Sequence, residues 1–201
     1  IGGLMEDIFT SDWFYEEKNI GAKIKSPIEL IAGIRRMLPM DIENADAQLL
    51  VQRLLGQMLF YPPNVAGWPG GKTWIDSSTL MFRMRLPQLI SDNDELNVRP
   101  KADDDQLMGR MDDGNAVVRS KKAVGVTGRP IRASVEWPVY LKNFDTTPRE
   151  ALVDAMNSAL LQVKPSFSNA LIQQCADGSS REAFVKTATL QIMSTPEYQL
   201  C

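Results

Sequence analysis

The sequence contains no histidine, only two cysteines and no long apolar run. Without histidine the chain cannot build a Ser-His-Asp or Cys-His catalytic centre, and it cannot supply a histidine-ligated zinc site. Cys175 and Cys201 are too few for a disulfide framework. The two could pair in an oxidising compartment, but a buried thiol and a frayed terminal thiol is the simpler interpretation. No apolar stretch approaches the roughly 18 residues that predict a transmembrane helix.

A strong excess of charge of one sign is also missing. The 22 basic and 25 acidic residues are mixed along the chain and give a net charge of −3, so the electrostatic footprint of a nucleic-acid-binding protein is absent. The acidic run Asp103 to Asp105 could hold calcium, but it lacks the alternating spacing of a calcium loop, and a solvated loop is favoured. We therefore predict no nucleic-acid partner, no membrane span in this chain, no metal site and no cofactor.

The most unusual stretch runs from Tyr61 to Ile75 and holds three prolines, three glycines and two tryptophans. Its segment Gly70-Gly71-Lys72-Thr73 resembles the end of a phosphate-binding loop. However, Ala66 stands where that motif needs glycine, and neither a strand before it nor a helix after it is indicated. A nucleotide site is therefore not favoured.

Two interpretations of the paired tryptophans remain. Their rings could form a stacking platform for a sugar or another flat ligand, or the loop could fold back as a plug that buries the rings against helices. The plug is favoured, because large rings are more often core than site. For the platform, the candidate ligand-binding residues are Asn64, Trp68, Lys72, Trp74 and Arg83.

Apolar residues at helical spacing predict an all-α fold. One helix is expected from Gly3 through the aromatic residues ending at Tyr15. A second begins at the capping box Ser26-Pro27-Ile28-Glu29, buries Ile28, Ile31, Ile34 and Leu38, and ends near Pro39. A third helix is predicted from a cap at Asn44 through Met58. A fourth is predicted to begin at a cap at Asp76 or Ser77, with Arg83 and Arg85 flanking its apolar face, and Pro87 is expected to end or kink it. Three more helices are predicted at Thr147 to Val163, Phe167 to Cys175 and Ala183 to Met193.

Residues 91–145 differ in composition from the rest. This stretch is acidic first and then rich in Val, Gly and Arg, and it could form an extended flap in which Ala116 to Val118 pairs with Ile131 to Tyr140. We predict a single mainly helical domain over residues 1–201, an irregular helical bundle with a long Pro/Gly/Trp loop and residues 91–145 as an insertion. Because the chain opens at Ile1 without an initiator Met, we expect it to be part of a longer protein.

The loop also carries a family resemblance. Pro62-Pro63-Asn64-Val65-Ala66-Gly67-Trp68-Pro69-Gly70-Gly71, with Leu55-Gly56-Gln57 before it and Trp74-Ile75 and Arg83 after it, resembles the bacterial domain-of-unknown-function 1800 (DUF1800) family. Segments near both ends agree, namely Lys23 to Leu30, Phe184 and Ser194 to Leu200. The match corresponds to about the C-terminal half of the family's usual length.

The resemblance implies a mostly helical bacterial protein that is extracytoplasmic, either periplasmic or secreted. It also implies a sulfatase-like partner protein encoded nearby and a link to polysaccharide or other glycan handling. The family has no catalytic residues that can be transferred. We therefore expect a non-catalytic binding or assembly module. The alternative is a hydrolase that acts on polysaccharide or sulfate esters through carboxylates, with the missing N-terminal half contributing.

Overall fold

The computed structural model describes residues 1–43, 45–92 and 132–201. Over these residues the protein is mainly helical, with one small two-stranded sheet, which confirms the predicted fold class. The backbone contacts divide the chain into two compact units. The first combines Ile1–Lys25 with Thr147–Cys201, and the second is Ser26–Thr146. We refer to them as the terminal unit and the central unit. The assignment of residues 1–201 to a single domain with an insertion stays a prediction.

The chain begins with helix α1 (Gly2–Phe9), which belongs to the terminal unit. The central unit begins with helix α2 (Pro27–Met37). The predicted capping box is confirmed. Ser26 Oγ accepts a hydrogen bond from the Glu29 amide at 3.3 Å, and the Ser26 amide donates to Glu29 Oε2 at 2.7 Å. The helix ends before Pro39, as predicted. Its buried face is rotated from the prediction, because Pro27, Leu30 and Ile34 are buried while Ile28 and Ile31 are only half-buried.

A short strand, β1 (Met40–Ile42), leads towards helix α3 (Ala45–Leu54). The predicted cap Asn44 lies outside the described residues. Helix α3 ends four residues earlier than predicted, because Gly56 adopts φ +85°, a left-handed conformation that ends a helix. The side chains buried along this segment are Ala47, Val51 and Leu55.

Helix α4 (Ser77–Ser91) follows the Pro/Gly/Trp loop. Asp76 caps it by accepting hydrogen bonds from the amides of Ser78 and Thr79, each at 2.8 Å. The helix continues past Pro87 to Ser91, so of the two predicted outcomes, an end or a kink, the end is wrong. Pro87 removes only one helical amide donor. Buried apolar side chains lie on both sides of it, at Phe82, Leu86, Leu89 and Ile90.

The sheet is completed by β2 (Ala133–Val135), which pairs antiparallel with β1 in the register Met40↔Val135 and Ile42↔Ala133. The strand predicted over Ala116 to Val118 lies outside the described residues. The extended conformation predicted up to Tyr140 is wrong beyond β2, because helix α5 (Trp137–Leu141) begins there and Pro138 lies in its first turn. Proline suits that position since its missing amide is not needed.

In the terminal unit, α1 ends at Phe9, so the single helix predicted through Tyr15 is wrong. The hydroxyls of Thr10 and Ser11 donate to the carbonyls of Glu6 and Ile8, at 2.8 and 2.7 Å. These bonds compete with helix continuation. Two 3₁₀ turns follow, Asp12–Tyr15 and Glu17–Asn19.

The remaining helices of the terminal unit are α6 (Leu152–Leu160), α7 (Asn169–Cys175) and α8 (Arg181–Met193). Its core combines apolar side chains of α6 and α8 with one from α7: Leu152, Val153, Met156, Leu160, Ile172, Phe184, Val185, Ala188, Ile192 and Met193. Both cysteines are free thiols. However, Cys175 is exposed rather than buried, and Cys201 is not frayed, because its amide donates to the Lys23 carbonyl at 2.8 Å.

Candidate binding surfaces

The Pro/Gly/Trp loop of the central unit is held by its own backbone and by Asn64. Asn64 Oδ1 accepts a hydrogen bond from the Ala66 amide at 2.9 Å, and the Asn64 carbonyl accepts from the Gly67 amide at 3.1 Å. Glycine suits this position because its φ is +87°, a left-handed conformation that is unfavourable for residues with a Cβ atom. Asn64 therefore shapes the loop, although most of its side chain faces solvent.

The two loop tryptophans lie in different environments. Trp74 ends the 3₁₀ turn Gly71–Trp74 and is only 7% exposed, while Trp68 is half-buried. The Trp74 carbonyl accepts a hydrogen bond from the Thr79 hydroxyl at 3.1 Å, in the first turn of α4. The structure thus places Trp74 in the core and leaves only Trp68 partly accessible.

The two predicted cationic site residues also separate. Lys72 is exposed on the 3₁₀ turn. Arg83 is fully buried in α4, so the expectation that it flanks the apolar face is wrong. Burial disfavours the charged guanidinium and lowers the pKa of Arg83 to about 10. Even so, Arg83 stays protonated at neutral pH. The five predicted site residues therefore do not share one accessible surface.

The segment that leads into the loop exposes a row of apolar side chains. We call Leu59, Phe60, Tyr61 and Val65 the loop rim. Each is exposed, and Phe60, at 90%, is the more exposed of the two aromatic residues. Phe60 also has φ +62°, a left-handed conformation that is rare for a bulky residue. An aromatic side chain in strained backbone that points into water is the signature of a contact surface.

The loop rim is held by hydrogen bonds to α3 and to the segment that follows α3. The Leu59 amide donates to Gln52 Oε1 at 2.9 Å, and the Tyr61 amide donates to the Met58 carbonyl at 3.0 Å. In addition, Gln57 Oε1 accepts from the Ile28 amide at 3.1 Å, which ties the segment to the start of α2. The rim is therefore a pre-arranged surface rather than a loose loop.

A second apolar surface lies in the terminal unit. Helix α1 has no buried residue, and Leu4, Met5 and Phe9 are exposed on it. The next turn places three consecutive aromatic residues, Trp13, Phe14 and Tyr15, in contact with solvent. Their rings pack edge to face, with centroids 5.9 Å apart for Trp13 and Phe14 and 5.2 Å apart for Phe14 and Tyr15.

Beside these rings lies a concave pocket of about 400 Å³. It is lined by the three aromatic rings together with Asn19, Ile20, Gly21, Gln162 and Cys201. The volume falls within the range of small-molecule sites, and the mixture of apolar walls with a few polar groups is typical of them. We call it the aromatic pocket.

The comparison with protein-family models gives one match, to the family described as protein of unknown function (DUF1800), over residues 1–200. The chain belongs to the DUF1800 family. The match confirms the resemblance carried by the loop motif, while the assignment to the family's C-terminal portion stays a prediction. No curated protein and no solved structure matches the chain.

Two features of the described residues bear on the chemistry open to this DUF1800 chain. Within the described residues, no group of three or more cysteine and carboxylate side chains is close enough to hold a metal ion. In the same part of the chain, no helix is long and apolar enough to cross a membrane. Neither surface described above carries an assembled nucleophile and base.

Sequence patterns did not single out Phe60 or the aromatic pocket of this DUF1800 protein. One signal for the pocket was present, because three consecutive aromatic residues on a short turn point in different directions and cannot all enter one core. Phe60 had no such signal. Phe60 itself has left-handed backbone, which its residue type does not predict.

Proposed function

We propose that this DUF1800 chain is a non-catalytic binding or assembly module that docks a protein partner on its loop rim. The observation that carries the proposal is Phe60, whose ring is 90% exposed and whose backbone has φ +62°. Both features cost free energy in the isolated protein, and a covering partner would recover part of that cost by burying the ring.

The surroundings of Phe60 support this role. Exposed apolar clusters on monomeric proteins mark interaction sites. Aromatic side chains are also among the usual anchors of protein interfaces. Because the rim is held by hydrogen bonds to Gln52 and Met58, little order would need to be created on binding. The rim thus combines an anchor, an apolar surround and pre-organisation.

The finer parts of the proposal come from the family resemblance. We propose that the module works outside the cytoplasm, that its partner is the sulfatase-like protein encoded nearby, and that the pair takes part in polysaccharide handling. A hydrolase acting through carboxylates remains the alternative hypothesis. No observation on the described residues favours it, since neither binding surface contains a pair of carboxylates.

The proposal is tested by measuring the affinity of the purified chain for the sulfatase-like protein by calorimetry. Phe60→Ala should weaken binding by tenfold or more, as expected for a hot-spot residue worth about 2 kcal/mol. Phe60→Asn should weaken it similarly while keeping the fold, because asparagine tolerates left-handed backbone. Met81→Ala is the matched control, since Met81 is an exposed apolar residue of the same unit outside the rim.

Equal affinity of wild type and both Phe60 variants would reject the loop rim as the docking site. A loss with Met81→Ala as large as that with Phe60→Ala would do the same, since it would show that any exposed apolar residue has this effect. Absence of binding between the wild-type chain and the sulfatase-like protein would reject that partner.

A further inference from the structure

The aromatic pocket of the terminal unit is pre-organised by contacts within that unit. The Tyr15 hydroxyl donates to the Phe9 carbonyl at 2.7 Å, and Asn19 Nδ2 donates to the Trp13 carbonyl at 2.6 Å. An ion pair of 2.8 Å joins Glu17 to Lys164. The two hydrogen bonds hold the aromatic turn, while the ion pair is exposed and adds little.

Gly21 holds the chain close to the loop after α6. Its φ is +68°, and a Cβ atom at this position would lie 1.9 Å from Val163 Cγ1. Only glycine meets both conditions. The pocket wall formed by Ile20 and Gly21 therefore has a defined position relative to Gln162, which lines the same pocket.

The aromatic rings are available to a ligand rather than used as core. Trp13 is 55% exposed and Tyr15 is 63% exposed. Because the Tyr15 hydroxyl is already engaged, what Tyr15 offers to the pocket is its ring face. The negative face of an aromatic ring attracts the weakly positive hydrogens of C–H groups. The pocket thus favours a ligand with an apolar face made of C–H groups.

The polar part of the lining consists of amides. Asn19 donates through Nδ2 to the backbone and keeps Oδ1 as an acceptor, while Gln162 offers both a donor and an acceptor. A purely apolar ligand would cover these amide groups without offering them hydrogen-bond partners, and this would cost free energy of binding. Hydroxyl groups around an apolar face would pair with them.

The charge of the lining narrows the ligand further. No charged side chain is among the residues that line the pocket in the described part of the chain. Of the charged residues close in sequence to the lining, Glu17 pairs with Lys164 and Glu16 pairs with Lys18. A sulfate or phosphate group would therefore lose its hydration without meeting a cation. The lining favours a neutral ligand.

We propose that the aromatic pocket is a binding site for a neutral saccharide. A pyranose ring has two faces of C–H groups and an edge of hydroxyl groups, so it matches the aromatic walls and the two amides together. The proposal stands apart from docking on the loop rim, because it concerns a different unit and a different class of ligand. Saccharide and protein partner would occupy separate sites.

The test is titration of the complete chain with neutral oligosaccharides of β-linked glucose and of β-linked N-acetylglucosamine, with sulfated dextran as the anionic comparison. Binding is followed by calorimetry and by the NMR signals of the tryptophan indole N–H groups. At least one neutral oligosaccharide should bind, and the Trp13 signal should shift. Binding of sulfated dextran that is equal or tighter overturns the proposal, as does failure of every neutral oligosaccharide to bind.

Four variants locate the site. Trp13→Ala should weaken saccharide binding by about tenfold or more, the loss expected for one stacked ring face, whereas Trp13→Phe should keep most of it. Gln162→Ala should weaken it by about two- to tenfold, the range for one hydrogen bond. Leu4→Ala is the control, since Leu4 is exposed in the same unit but does not line the pocket.

Unchanged saccharide affinity in both Trp13→Ala and Gln162→Ala would overturn the proposal. So would a loss of protein-partner binding in Trp13→Ala without any saccharide binding by the wild type, since the surface would then dock a protein. Melting curves of each variant show that the fold persists. Phe60→Ala should leave saccharide binding unchanged, so failure of the loop-rim proposal and failure of this one are distinguishable.

Discussion

Trp74→Ala tests whether the Pro/Gly/Trp loop is held by a buried ring. Trp74 is 7% exposed, so nearly the whole side chain is removed from water on folding. A tryptophan of roughly 200 Å² at about 25 cal/mol per Å² gives an upper value of about 5 kcal/mol. Measured truncations of buried aromatic residues cost about 3–5 kcal/mol. We expect a loss in this range.

Trp68→Ala is the matched control, because Trp68 lies in the same loop but is only half-buried. Its loss should be smaller, since part of its surface is already in water. The free energy of unfolding of both variants and of the wild type is measured by urea denaturation, followed by far-UV circular dichroism. This signal does not depend on the number of tryptophans.

A loss below about 1 kcal/mol for Trp74→Ala would refute the buried-anchor interpretation, because surface substitutions usually stay within about 0.5 kcal/mol. Equal losses for the two variants would refute the assignment of different roles to the two rings. A small loss for Trp74→Ala would restore support for the stacking platform, and the glycan titrations described above would then be extended to the loop.

Three further predictions concern stability. Gly21→Ala should cost about 2–5 kcal/mol by thermal or urea unfolding, because its Cβ would lie 1.9 Å from Val163 Cγ1 in left-handed backbone. Asp76→Ala should cost about 0.5–2 kcal/mol by urea unfolding, since two amides of α4 lose their acceptor. Burial raises the pKa of Glu197, but hydrogen bonds led by that from the Ser166 hydroxyl lower it by more, so its net pKa lies below the ordinary 4.5. The stabilisation that wild type gains from this carboxylate over Glu197→Gln should therefore be present above pH 4.5 and be lost as the pH falls through the folded-state pKa.

Each of these predictions has a control in the chain. Gly178→Ala should be neutral, since nothing lies near its Cβ position, and a comparable cost there would contradict the Gly21 argument. Ser77→Ala should cost less than Asp76→Ala, and the opposite order would contradict the capping role. The control for Glu197→Gln is Glu150→Gln, which makes the same change at an exposed carboxylate. A stability gap between wild type and Glu197→Gln that does not change with pH would contradict the role of the Glu197 carboxylate.

Local signals predicted the ends of helices better than their buried faces. The capping box at Ser26 and Glu29 depends on residues within one turn, so it could be recognised directly, and the cap of α4 could be narrowed to Asp76 or Ser77. Which face of α2 is buried depends on its packing partners, and the face containing Leu30 was missed. Pro87 shows the same limit, because buried residues on either side kept the helix intact where local rules predict an end.

The candidate sites were harder to predict than the fold. The loop motif identified the family, yet of the residues proposed as a ligand site Trp74 and Arg83 are buried, and the others differ in exposure. Residue type did not distinguish Trp74 from Trp13. Only the packing of the chain makes the first a core residue and leaves the second in solvent.

By itself, the sequence determined the helical class, the cap at Ser26, a second cap at Asp76 or Ser77, the family, and the absence of histidine chemistry. These follow from composition and from interactions between residues close in the chain. Tertiary structure alone decided that Arg83 is buried, that Phe60 is exposed in left-handed backbone, and that Trp13 faces a pocket beside Gln162. Whether a side chain is buried depends on contacts with residues distant in sequence, so no local pattern specifies it.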